Sequence, residues 1–445
     1  MAAVIPQGRG VHAVATALLL LATTLIAVRP AQADPVPPGW SAQNMEVLGY
    51  TIMDGRPGFK LTMTRANNRW YLITAHYSVP GWSVIDVTDP KNPQTVKFIP
   101  GPPNTNTVQV DMADGIMVAS LGRPENRGGT GMDPSKPYEA GIILFDMKDP
   151  LNPKELGRWH TDKPEGRGTH RNMYQGGRYV HLAADMKGYD GDIYVIVDIS
   201  NPAKPVEAGR WWVPGQHVAG GETPQKDPNV NLHNPNYVDG SLAYLSYGDA
   251  GMVVLDIADV TKPKLVSQLK FQPRHRFDVH TVVPDFKRKL VYVNSEAVIA
   301  DCKGPLDHAT VVDVSNPAKP VALSRFPVPV PPAGLPYTNF CDKGGRFGPH
   351  NMNQLQYNPH VEKQGNLAYL TWFNAGIRVY DVSDKRLPRE IGWFMAGLPE
   401  KIYIPSYGNY VRMEDVLVDT RGYIYVSGGA QQGIYILRYT GPAKN

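Results

Sequence analysis

The chain has 445 residues, 43 Gly and 41 Pro among them, and a formal charge of +4 at neutral pH. Arg9 and Arg29 lie in residues 1–33, which hold no acid, so residues 34–445 carry only +2. That balance gives no electrostatic footprint for nucleic acid, and short Tyr-, Val- and Ile-rich runs between turn residues exclude a helical protein.

Arg9 and His12 precede an apolar run, Ala13–Val28, and Ala31-Gln32-Ala33 offers a small-x-small cleavage site. Residues 1–33 therefore read as a signal peptide, and the protein is expected to be exported, periplasmic or extracellular, with 34–445 as one domain. A membrane anchor is the alternative reading, but the run is short for a spanning helix and no later run is longer, so no stable membrane insertion is expected. Export permits a disulfide, and Cys302 and Cys341, the only cysteines, are the expected pair; a free buried pair is the plainer alternative.

From Val84 onward, an Asp closes an apolar strand with Pro seven residues on. The copies are Asp86/Pro93, Asp146/Pro153, Asp198/Pro205, Asp256/Pro263, Asp313/Pro320 and Asp381/Pro388. A turn of fixed length, with the Asp carboxylate accepting its backbone N–H groups, explains the constant spacing. The repeat is plainest at 274–326. There His280 opens a strand at Thr281–Val283, followed by strands at Leu290–Asn294, Thr310–Val314 and Val321–Phe326. Four short strands in about fifty residues is the pattern of a β-propeller blade.

Tyr194-Val195-Ile196-Val197-Asp198 followed by Ile199-Ser200-Asn201-Pro202-Ala203 resembles the LVIVD-repeat family of exported propeller proteins. The resemblance covers nearly all of 34–445 and implies an all-β fold, but little chemistry. Gly422–Ser427 and Gly433–Tyr439 supply strands of a seventh unit that lacks its fourth, and Met45–Met53 has the form of a fourth strand. A seven-bladed β-propeller is expected, closed by the N-terminal strand pairing into the last blade.

The first strand of each blade lines the channel, and four successive repeats place a histidine at its top: His170, His233, His280 and His350. Blade two has Thr107 there, blade seven Glu414, and blade one a position near Thr62. Any single histidine reads as a polar strand cap. A purely structural residue would recur in all seven repeats, however, and four imidazoles crowding one side of the channel point to a shared metal ion. Four nitrogen donors with no carboxylate on the metal suit one transition metal ion, iron(II) first, with copper or zinc as alternatives. The plan is similar to the four-histidine iron site of the carotenoid-cleaving oxygenases and, less closely, to copper thiol oxidases of the selenium-binding family. Both likenesses are architectural only.

Asp185, Asp249 and Glu296, at the tops of second strands, are expected to accept the second N–H of the histidines from behind. The substrate side is expected near Thr107, His76, Tyr77 and Arg171, with Glu414 as a catalytic carboxylate, an acceptor behind the histidines or a further ligand. Cys302 and Cys341 fall in loops on the same face, where a bridge would stiffen the wall of the site. G-x-S-x-G, phosphate-loop, H-E-x-x-H and C-x-x-C patterns are absent. The expected function is an exported metal-dependent oxidoreductase or oxygenase acting on a small organic substrate. A zinc hydrolase with Glu414 as base, and a non-catalytic propeller binding a protein or a surface, are the alternatives.

Overall fold

The computed structural model describes residues 1–4 and 33–442, apart from 126–130, 225–229, 234–236, 272–277, 306 and 399. The signal peptide expected at 1–33 lies almost wholly outside the described residues. No helix among the described residues is long and apolar enough to cross a membrane.

Residues Ala33–Asn445 form one compact unit, a seven-bladed β-propeller of seven antiparallel four-stranded sheets. Blade five shows the pattern: Thr281–Asp285, Leu290–Asn294, Ala309–Asp313 and Val321–Arg325 pair in sequence order. All six repeated Asp residues turn their carboxylates onto the backbone N–H two residues on, at 2.8–3.0 Å. These Asx turns let the strand stop without leaving a buried N–H unpaired.

The core lies between blades, not within them. Tyr71, Ile73 and Trp82 of blade one pack on Val110, Met117 and Phe145 of blade two. Leu417, Tyr425 and Ile436 of blade seven close the circle against Leu61, Met63 and Ile85 of blade one. Every fourth strand carries a register shift against the third. The bulged residue is apolar in each blade, and Leu156, Ala208, Val266, Leu323, Ile391 and Leu48 pack against an interblade core. In these six blades the bulge thus twists the outer strand and seats one more side chain in the interface, whereas Val96, the bulged residue of blade one, stays exposed.

The N-terminus closes the ring as the repeats imply: Met45–Thr51 pairs with Ile434–Tyr439 as the outer strand of blade seven. It also does something the repeats do not indicate. Ser41–Gln43 pairs with Arg389–Met395, adding a strand to the outside of blade six. That blade's sheet counts four only because its innermost segment is irregular, joined by a lone bridge between Met352 and Leu370. Its Asn and Gln side chains compete with the ladder. Gln354 donates to the Asn351 side chain at 2.5 Å, and the Asn353 side chain accepts from Val418 N–H at 3.2 Å.

Charged side chains fill the hub. Lys60 donates to Asp415 Oδ1 at 2.8 Å and to Gln354 Oε1 at 2.6 Å. Arg171 holds the Gln109 side chain and lies 3.7 Å from Asp111. Burial pulls the Lys60 ammonium down to about 8 and pushes the Asp111 carboxyl up to about 6.

Candidate metal centre

The site stands at one end of this hub and is built by register. His233, His280, His350 and Glu414 each donate their backbone N–H to the residue ending the neighbouring second strand: Ser246, Asn294, Thr371 and Ser427, at 2.8–2.9 Å. They therefore occupy one position on four successive blades. In blade three a bulge between Thr169 and Arg171 turns His170 to the same mouth. Counted from the repeated Asp, Ala75 of blade one corresponds to Asn294 and Leu61, paired with Thr74, to Val282, so Lys60 corresponds to Thr281 and Phe59 holds the place of His280. The sequence reading, centred near Thr62, misses it because the bulge between Gly58 and Leu61 shifts the count.

The four histidines form one row. Ring centroids are 4.3 Å apart for His170 and His233, 4.2 Å for His233 and His280, and 4.7 Å for His280 and His350. Nε2 of His170 lies 2.9 Å from Nε2 of His233. Burial pushes the pKa of His233 and His280 well below the ordinary imidazole value, and their neighbouring imidazoles add to the effect. Desolvation also lowers His350 and His170, although His170 is exposed to the cavity. The row is therefore neutral at physiological pH.

Hydrogen bonds fix two of the tautomers. Thr281 Oγ1 donates to the His350 carbonyl at 3.2 Å, so it accepts from Nδ1 of His280 at 2.6 Å. Nδ1 of His350 faces the Glu414 carbonyl at 2.7 Å and must donate to it. Both rings therefore present an Nε2 lone pair to the centre. Facing them is Glu296, with Oε2 3.6 Å from His280 Nε2 and 3.9 Å from His233 Nε2, and Oε1 3.9 Å from His350 Nε2. These separations are too long for hydrogen bonds. Among the described residues, donor atoms of His233, His280 and Glu296 lie within 4.8 Å of one another, a spacing that can hold a metal ion.

Glu296 is thus not behind the histidines but among them, and the expected all-nitrogen donor set gains a carboxylate. The loop after Leu290–Asn294 turns it inward, where Arg346 pairs with Oε1 at 2.6 Å. Burial raises its pKa, but the Arg346 guanidinium, joined by His350 and His233 only where those rings carry a proton, outweighs this and holds it at about 2. Asp185 is engaged elsewhere, by Lys163 Nζ and Arg167 N–H at 2.8 Å each, and Asp249 accepts the Asp278 N–H at 3.4 Å. The partners found behind the rings are Thr281 and the Glu414 backbone instead.

A cavity of about 730 Å³ opens over the row, and Tyr77, Glu414, Phe59, Lys60, Tyr407, Arg346 and Arg412 are among its lining. Three residues expected on the substrate side do not line it. Thr107 is buried and accepts the Gly81 N–H at 2.8 Å. His76 is buried between the Pro57 carbonyl, 3.0 Å from Nδ1, and Ser83 Oγ, 2.9 Å from Nε2. Arg171 is fully buried in the hub. Glu414 stands between Arg412 Nε at 2.5 Å and His350 Nδ1 at 3.2 Å.

Cys302 and Cys341 are bridged. Beside the bridge Asp301 and Gly345 exchange hydrogen bonds at 2.7 and 3.0 Å, and the next residue is Arg346, which also reaches the Ala297 carbonyl. Phe373 stacks on His350, centroids 4.6 Å apart and planes 28° apart, with a φ of 40° unusual for an aromatic residue.

LVIVD repeats match residues 188–212, 237–270 and 297–327. No curated protein matches the chain in sequence. The β-propeller domain of Cps50 (Swd1) from Myceliophteria thermophila is similar in structure, with 10% identity, 85% of this chain and 99% of that chain covered, and a TM-score of 0.52. A functionally unknown protein from Desulfotomaculum acetoxidans has 13% identity, 80% and 89% coverage and a TM-score of 0.48. The first likeness is one of fold alone, and the parallel in plan with carotenoid-cleaving oxygenases gains no support from these comparisons.

Proposed function

We propose that this LVIVD-repeat propeller is an exported metalloprotein that holds one transition metal ion among His233, His280, His350 and Glu296, with His170 beside them, and acts on a small organic molecule as an oxidoreductase. The supporting observation is the meeting of three acceptors. The Nε2 lone pairs of His280 and His350 and the Glu296 carboxylate face one another across 3.6–3.9 Å with no proton between them, an arrangement that is repulsive unless a cation lies at its centre. Ligands on one ion, each about 2.0–2.2 Å from it, stand roughly 3–3.5 Å apart, so small rotations suffice to close the shell. Neutral nitrogens with one anionic oxygen suit iron(II) better than copper(I), and zinc remains compatible. The cavity side of the ion would be left open for substrate or O2. The disulfide supports an oxidising compartment. Arg412 and His350 engage Glu414 on both sides, which favours a positioning role for it over that of a free base in a hydrolase.

The test is elemental analysis of protein purified without a polyhistidine tag. About one iron per chain is expected, lost in Glu296→Gln and in His280→Ala while the strand signal in circular dichroism persists. A wild-type chain that takes up no transition metal overturns the reading, and zinc without O2 consumption turns it toward hydrolysis.

A further inference from the structure

We infer that the molecule taken by this cavity is aromatic and carries an acidic oxygen, as a benzoate or a phenol does. The inference deepens the metal reading above and rests on it for the orientation of the ligand. In a ring of seven blades, blade one lies across from blades four and five, so the wall facing His233 and His280 is built by blade one and its neighbours. That wall is aromatic. Phe59 and Tyr77 pack against each other with centroids 4.3 Å apart and planes tilted by 38°, and Tyr407 continues the surface 5.8 Å from Tyr77.

Phe59 and Tyr77 group with Ile404 and Ala430 in a small cluster separate from the seven interblade cores, and Phe59, Tyr77 and Tyr407 all line the cavity. Next to Phe59, the Lys60 ammonium gives one proton to Gln354 and one to Asp415. An ammonium has three, and the side chain lines the cavity. A planar ring laid on Phe59, Tyr77 and Tyr407 would direct an anionic oxygen between Lys60 and the ion, where both charges favour it. A saturated ring of the same size gains the burial but not the attraction between aromatic groups.

The experiment uses the full chain, with its iron content measured, titrated calorimetrically with benzoate, phenol and cyclohexanecarboxylate. Benzoate or phenol is expected to bind at least tenfold more tightly than cyclohexanecarboxylate, and the tighter of the two identifies the oxygen group. Phe59→Leu should remove most of that preference while retaining the metal; should it fail to fold, the half-buried Tyr407→Leu takes its place. Iron-loaded protein that binds all three alike, or none, overturns the inference and leaves the metal reading standing. If no metal is retained, the metal reading fails by itself. The aromatic preference is then expected to persist on Lys60 and the wall, and its absence in metal-free protein overturns the inference too.

Discussion

Arg346 and Glu296 form a 2.6 Å ion pair that leaves the other carboxylate oxygen turned toward His280, 3.6 Å from its Nε2. The guanidinium thereby stands in for part of the charge that the histidine row lacks, and its face lies over Phe373 at 4.4 Å. The pair is nearly buried, so Arg346→Ala strands an anion in low dielectric. Metal-free protein should lose roughly 3–5 kcal/mol on chemical denaturation. Arg346→Lys should recover only part, because a point charge cannot hold Glu296, the Ala297 carbonyl and the Phe373 face together.

Phe373 carries both a stack and a strained backbone. Phe373→Ala removes the ring beneath His350 and keeps the positive φ, and should cost about 3–5 kcal/mol. Phe373→Gly loses the same packing but adopts that φ freely, so it should be about 1 kcal/mol more stable than the alanine variant. Thermal denaturation of the two checks this inversion of the usual Ala-over-Gly order.

The hub makes a prediction about pH. The pKa of Lys60 in the folded chain, about 8, lies below its ordinary value, so the group favours the fold above about pH 10.5 and that benefit is lost as pH falls through 8. Between pH 8 and 10 the melting temperature of the wild type should therefore rise relative to that of Lys60→Gln. At pH 7, Lys60→Met alone should destabilise by roughly 3–5 kcal/mol by orphaning Asp415, whereas Lys60→Met with Asp415→Leu should recover most of the loss.

The bridge between Cys302 and Cys341 closes a sequence separation of 39 residues. Replacing both with serine should lower stability by up to about 4 kcal/mol on the loop-entropy account. Because the same loop delivers Arg346, the metal off-rate measured with a chelator should rise as well. An unchanged off-rate would show that Asp301, Gly345 and Ala297 hold Arg346 without the bridge.

Removing residues 34–43 takes away the strand added to blade six, with the Asp34 bond to the Ile52 N–H and the packing of Val36 and Trp40, whereas removal through Thr51 opens blade seven. The first truncation should fold with a lower melting temperature. The second should expose the edge of Ile434–Tyr439 and aggregate, as seen by light scattering.

The sequence by itself determined the repeat, the turn chemistry and the closure of the ring, because each rests on local rules: Asp and Pro at fixed spacing, alternating apolar strands, and one orphan strand at each terminus. It also marked the four histidines, since a residue repeated in only some blades stands out against a structural consensus. Tertiary structure alone decided what surrounds them. Glu296 and Arg346 come from loops with no periodicity, so no pattern says whether they turn inward. Lys60 sits in a strand displaced by a bulge, which shifts the register by which it would be counted. Arg171, His76 and Thr107, polar residues near the tops of strands, were drawn into backbone and hub hydrogen bonds because a buried polar group left unpaired is costly.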